Sequence, residues 1–123
     1  MKTINDLAKD AYAINLNKGY YINEVNIPEK LCLIHSEVSE ALEADRKSRF
    51  CVLNEYQKRK LKGWIRDGDY NDAYKSMVKG TFEEEMADII IRTISLCEHL
   101  GIDIDYHVQA KIRYNKNGSV KKY

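Results

Sequence analysis

The sequence is short of the residues that interrupt helices and of those that crosslink chains. It has one proline and 6 glycines in 123 residues, which disfavours a many-turned β architecture and leaves room for long helices. Its three cysteines, at 32, 51 and 97, are odd in number and show no CxxC spacing, so a disulfide framework is not expected and a reducing, cytoplasmic setting is. Residues 1–25 lack the apolar core and small-residue cleavage site of a secretory signal. No apolar run approaches the ~20 residues that span a bilayer; Ile89-Ile90-Ile91 gives way at once to Arg92. An excess of one charge is missing too. Lys plus Arg is 20 against 19 Asp plus Glu, net +1, which argues against a dedicated nucleic-acid binder.

What is present is helical periodicity. With 44% hydrophobic and 32% charged residues, the chain is expected to fold as a single all-α domain over residues 1–123. Ile4, Leu7, Ala8, Ala11, Tyr12 and Ile14 recur at helical spacing, and Gly19 stands where that helix should stop. A second helix follows Pro28, with Leu31, Leu33, Ile34, Val38, Ala41, Leu42 and Ala44 filling one wide arc. Thr81-Phe82-Glu83-Glu84 reads as a capping box opening a helix that runs to about Leu100, with Gly101 as its stop. Asp103 can cap a last helix from Ile104 to about Asn115, carrying Val108 and Ile112 inward. Between them lies a basic, variable segment, 47–80. Counted from Arg46, it holds ten Lys/Arg against four acids, with Tyr56, Trp64, Tyr70 and Tyr74 interleaved. It is expected to form a helix or two around a hinge at Gly63 and Gly68. The total is four or five helices.

The carboxylates carry the chemical signal. Glu37 and Glu40, three residues apart, lie about 60° apart on the second helix. Glu37 falls inside the apolar arc, between Leu33 and Ala44 on one side and Ala41 on the other; Glu40 lies at its border. Glu85 and Asp88 repeat the arrangement beside Ile89 and Leu96 on the capped helix. A buried, uncompensated carboxylate costs several kcal/mol. If these two faces meet, four like charges share one site, and a hard divalent cation relieves the repulsion. An all-oxygen ligand set points to Mg²⁺, with Mn²⁺ as substitute, rather than to zinc. The alternative is internal pairing, for example Asp88 with Arg92 four residues on. Asp45, near the inner arc, could support a ligand or pair with Arg46 or Arg49. Cys32 with His35 and Cys97 with His99 could imitate a zinc site, but Cys32 falls outside the apolar arc. A di-iron bundle wants Glu-x-x-His pairs, and Glu40 and Asp88 occupy those third positions.

Two stretches together, Ile34-His-Ser-Glu-Val-Ser-Glu-Ala-Leu-Glu-Ala-Asp-Arg46 and Phe82-Glu-Glu-Glu-Met-Ala-Asp-Ile-Ile-Ile-Arg92, resemble the MazG-type all-α nucleotide pyrophosphohydrolases. The family's ExxE and ExxD motifs match Glu37/Glu40 and Glu85/Asp88. The likeness extends to Asn17-Lys-Gly-Tyr20, Gly101-Ile-Asp103 and Lys111-Ile-Arg-Tyr-Asn-Lys116, and omits 47–80. It implies a MazG-like bundle completed by oligomerisation, as a homodimer or homotetramer. It also implies Mg²⁺-dependent cleavage of nucleoside triphosphates to monophosphate and pyrophosphate. Glu37, Glu40, Glu85 and Asp88 are then the metal ligands. Glu37 and Glu40 are the catalytic pair, with Glu37 preferred for orienting or deprotonating the water. Lys111, Tyr114, Asn115 and Lys116 are the substrate-binding residues. Two departures stand out. Asn117-Gly-Ser-Val-Lys-Lys-Tyr123 replaces the family's more basic, Arg-Pro-containing tail, and Tyr12 stands where relatives often carry His. The competing expectation is a non-catalytic oligomer of the same fold that binds a nucleotide or a partner through the acidic groove.

Overall fold

The computed structural model describes residues 1–21, 24–62 and 66–118. Among them are six helices and no strand: α1 (Ile4–Asn17), α2 (Ile27–Arg46), α3 (Glu55–Lys60), α4 (Asp67–Met77), α5 (Phe82–His99) and α6 (Ile104–Asn117). Among the described residues, none is long and apolar enough to cross a membrane. The all-α expectation holds, but the count is six rather than four or five because the basic segment contains two helices. The Asn54 side chain accepts from Gln57 N at 2.8 Å while the Gln57 side chain accepts from Asn54 N at 2.9 Å, and this reciprocal cap starts α3. Lys58, Arg59 and Lys60 end it, where the helix dipole favours cations. Asp67 and Asp69 occupy the first turn of α4, where the dipole favours anions. Gly68, expected at a hinge, is the second residue of α4; Gly63 and Trp64 lie outside the described residues.

The contacts divide the chain into two compact units, Met1–Lys30 with Ile90–Tyr123, and Leu31–Ile89. Both α2 and α5 supply residues to each.

In the first unit α1 packs against α6. Their starting turns are laced together: Asn5 Nδ2 donates to Asp103 Oδ1 at 2.8 Å, and Asn5 Oδ1 accepts from Asp105 N at 3.1 Å. Asp103 also caps α6 by accepting from Tyr106 N at 3.1 Å. Gly19 and Gly101 terminate α1 and α5 with φ of 84° and 70°. In each case the two amides after the helix bond back to its last turn, Gly101 N to Glu98 O and Ile102 N to Cys97 O, a closure that needs a left-handed residue. Ala8, Ala11, Ile94, Ser95 and Leu96 are buried. The Ser95 hydroxyl is satisfied by Asn15 Nδ2 at 3.0 Å and Tyr21 Oη at 3.2 Å. Tyr21 stacks on His99 with ring centroids 4.8 Å apart, and Tyr12 Oη bonds His99 Nδ1 at 2.9 Å. Ile112 was expected inward and is instead 60% exposed. The less exposed residues of α6 are Ile104, Asp105 and Val108, so the half-buried side of the helix includes Val108 but not Ile112.

In the second unit, α2 ends with Ser48 at φ 54°, donating to Asp45 O at 3.0 Å while Arg49 N reaches Ala44 O at 2.8 Å. The chain leaving α2 is then fastened to the start of α5. Phe82 N donates to Arg49 O at 2.8 Å, Cys51 N donates to Glu83 Oε1 at 2.8 Å, and the Phe50 and Phe82 rings sit 5.3 Å apart. Ala41 and Ala44 are buried, as is Glu37, but Val38 and Leu42 remain 48% and 49% exposed. Asp45, expected near the inner arc, is exposed.

Candidate metal centre

The second unit brings the carboxylates of α2 and α5 together. α2 begins with Asn26 Oδ1 accepting from Glu29 N at 3.0 Å, a side-chain cap preceding Pro28. From this start the 3.6-residue period carries Glu37 to the same buried side as Ala41 and Ala44. On α5 the capping box is displaced by one residue. Thr81 Oγ1 accepts from Glu84 N at 3.3 Å as expected, but the Glu84 carboxylate accepts from Gly80 N at 2.9 Å rather than from Thr81 N. Thr81 N is already taken by Val78 O at 3.1 Å.

Carboxylate oxygens of Glu37, Glu85 and Asp88 all lie within 4.8 Å of one another. Glu37 is 8% exposed and Glu85 and Asp88 are half-buried. Glu40 stands outside this trio. It is exposed, as its place at the border of the apolar arc dictates. Burial pushes the Glu85 carboxyl up to about 7, reinforced by the neighbouring carboxyls of Glu40, Asp88 and Glu37. Glu85 Oε2 is shut off from solvent without a hydrogen-bond partner.

Three carboxylates at this spacing relieve their repulsion by protonation, by a cation or by pairing with a basic side chain. The donor set is entirely oxygen, which suits a hard divalent ion, and the orphaned Glu85 Oε2 is a ligand atom with nothing else to do. The cluster therefore fits a metal ion. Among the described residues it is the one group of three or more His, Cys, Asp or Glu side chains so arranged. Cys32 and His35 are exposed, and His99 is engaged by Tyr12.

Lys111, Tyr114, Asn115 and Lys116 are exposed on α6, in the first unit. The Lys111 ammonium lies 4.7 Å over the Tyr114 ring. In the basic segment, Tyr70 and Tyr74 stack at 6.4 Å, and Tyr56 is exposed beneath Lys60. Sequence reasoning passed over the partner of the neighbouring Glu83, the Cys51 amide. Nothing in local periodicity marks such a long-range partner. The chain matches none of the protein-family models, curated proteins or solved structures with which it was compared.

Proposed function

We propose that this chain is a metal-dependent nucleoside triphosphate pyrophosphohydrolase of the MazG type, converting a ribo- or deoxyribonucleoside triphosphate and water to the monophosphate and pyrophosphate. The observation that carries the reading is the convergence of Glu37, Glu85 and Asp88 from two helices onto one point. A divalent ion held there would supply charge neutralisation for phosphate oxygens and activation of water. Glu37, Glu85 and Asp88 hold the ion, with Glu40 completing the set at the rim. Glu37, deepest of the four, orients the attacking water. Glu40, exposed at the rim, is the second member of the catalytic pair and is placed to pass the water's proton to solvent. Water attacks the α-phosphorus and the pyrophosphate oxygen leaves.

Lys111, Tyr114, Asn115 and Lys116 contact the phosphates in this reading, which rests on the likeness of their segment to the family. Assembly into a homodimer or homotetramer is supported by the half-exposed Val38 and Leu42 on α2 and by Ile90 on α5, which is 57% exposed. Exposed apolar side chains of this size are what an obligate interface covers.

The test is pyrophosphate release from a panel of ribo- and deoxyribonucleoside triphosphates, with Mg²⁺ or Mn²⁺ and with EDTA. Metal-dependent release supports the reading, and the rank order names the substrate. Silence across the panel from folded protein that binds metal contradicts the catalytic step and leaves the non-catalytic nucleotide-binding oligomer.

A further inference from the structure

The positive excess of the basic segment is not spread along it. Residues 46–62 hold seven Lys/Arg (46, 47, 49, 58, 59, 60 and 62) against the single acid Glu55, while 63–80 balance three against three. The first stretch is net +6 in a chain that is net +1, which leaves −5 for all other residues. The overall balance that disfavours a dedicated nucleic-acid binder thus conceals one strongly cationic stretch. All seven cations are exposed. Two stand in ion pairs, Lys47 with Glu43 at 3.0 Å and Lys58 with Glu55 at 3.9 Å, and exposed pairs of this kind hold their charges only weakly.

The stretch is held in a defined shape. Its first half, the chain leaving α2, is fastened to the start of α5: Phe82 N donates to Arg49 O and Cys51 N to Glu83 Oε1, both at 2.8 Å. Its second half is α3. Leu53, Gln57 and Leu61 recur every four residues and are half-buried, so they form the inner side of that helix. Tyr56, Lys58, Arg59 and Lys60 are exposed around the remainder. Aromatic surface stands among the cations, where a purely solvated strip has no use for it: Phe50 is 49% and Tyr56 61% exposed. The Lys60 ammonium lies 5.1 Å from the centre of the Tyr56 ring.

We propose that residues 46–62 form a binding surface for single-stranded nucleic acid, with Tyr56 stacking on a base while Arg49, Lys58, Arg59, Lys60 and Lys62 meet phosphates. Aromatic rings interleaved with cations hold single strands without reading their sequence. A duplex would meet only the cations, since its bases are stacked inside. With six residues and a length of about 9 Å, α3 is also short for a helix that lies in a major groove. An acidic polypeptide or an anionic membrane would pair with the cations but has no base to lay on Tyr56. The surface uses none of the four carboxylates, so it stands independently of the hydrolase reading.

The experiment is fluorescence anisotropy of a labelled oligothymidylate of about 12 nucleotides, titrated with the full chain in EDTA so that the carboxylate centre plays no part. The expected result is binding that weakens steeply with salt, each neutralised phosphate adding about −0.7 to the slope of log affinity against log salt. Lys60→Gln combined with Lys62→Gln, which leaves the cap and inner side of α3 untouched, should make that slope shallower by roughly 1.4. Tyr56→Ala should bind at least about fivefold more weakly with the slope unchanged. Tyr56→Phe, which keeps the ring, should bind as wild type does. Absence of binding at low salt, or a slope unchanged by the paired lysine substitutions, overturns the surface. Wild-type affinity in Tyr56→Ala, or equal affinity for a duplex of the same length, overturns the single-strand assignment and leaves an acidic protein or an anionic membrane as the occupant.

Discussion

Glu37 on α2 and Glu85 on α5 bring carboxylate oxygens within 4.8 Å of each other. Carboxylates held this close favour either a proton or a cation between them. The two compete for the same oxygens.

That competition has a pH signature. Glu85 titrates near 7 in the folded chain against an ordinary 4.5. Between those values the folded state binds a proton that the unfolded chain has released, so stability falls as pH rises. Glu85's contribution is full below pH 4.5 and lost as pH passes through about 7. In chelator, the melting temperature should decline across this window, and Glu85→Gln should flatten the decline. Asp103 is held low by its hydrogen bonds with Asn5 and Tyr106 N, and Asp6 by its bonds with Thr3. They act in the opposite sense, losing their contribution as pH falls below the ordinary 3.8, outside the window. A melting temperature that rises from pH 4.5 to 7 in chelator contradicts the burial of Glu85.

Mg²⁺ or Mn²⁺ at neutral pH should reverse that loss. A ligand at 100 times its dissociation constant stabilises by about 2.7 kcal/mol, read as a raised melting temperature. Asp88→Asn and Glu37→Gln should remove the metal-induced rise and the turnover while leaving helicity intact. A rise of wild-type size in either variant places the ion elsewhere.

Much of this centre was legible in the sequence. The 3.6-residue period puts Glu37 between Leu33, Ala41 and Ala44, and the same arithmetic brings Glu85 and Asp88 to one side of α5. Helix ends at Gly19 and Gly101 were legible for the same reason, since a left-handed residue closes the last turn and glycine adopts it freely. What failed depends on tertiary choice. Val108 and Ile112 share the helical spacing of α6, yet only Val108 is half-buried while Ile112 is 60% exposed. The Glu84 carboxylate caps Gly80 rather than Thr81 because Val78 O already occupies the Thr81 amide. The bond from Cys51 N to Glu83 joins the chain after α2 to α5 and leaves no mark in the periodicity of either helix.

Ser48 occupies the position in α2 that glycine fills in α1 and α5, at φ 54°. A left-handed L-residue costs roughly 1–2 kcal/mol, and glycine's extra unfolded-state entropy offsets about 0.5–1 kcal/mol of that. Ser48→Gly should therefore stabilise by about 0.5–1 kcal/mol, and Gly101→Ala, at φ 70° with nothing within 4 Å of an added Cβ, should destabilise by about 1 kcal/mol. Urea midpoints with unchanged m-values measure both. A destabilising Ser48→Gly would mean that the Ser48 side chain contributes more than its backbone strain costs.

Val38, Leu42 and Ile90 should lie in a subunit interface. Light scattering should show a species heavier than 14.3 kDa, and Leu42→Glu or Ile90→Glu should shift it toward monomer by burying an unpaired charge. A wild-type monomer at working concentration contradicts the assembly.

The most direct test of the central claim is hydrolysis of the best triphosphate substrate in ¹⁸O-water with Mg²⁺, comparing wild type with Glu85→Gln. Attack at the α-phosphorus by a water that these carboxylates position puts the label in the monophosphate, and the variant should give no product. Label in the pyrophosphate, or undiminished turnover by Glu85→Gln, contradicts it.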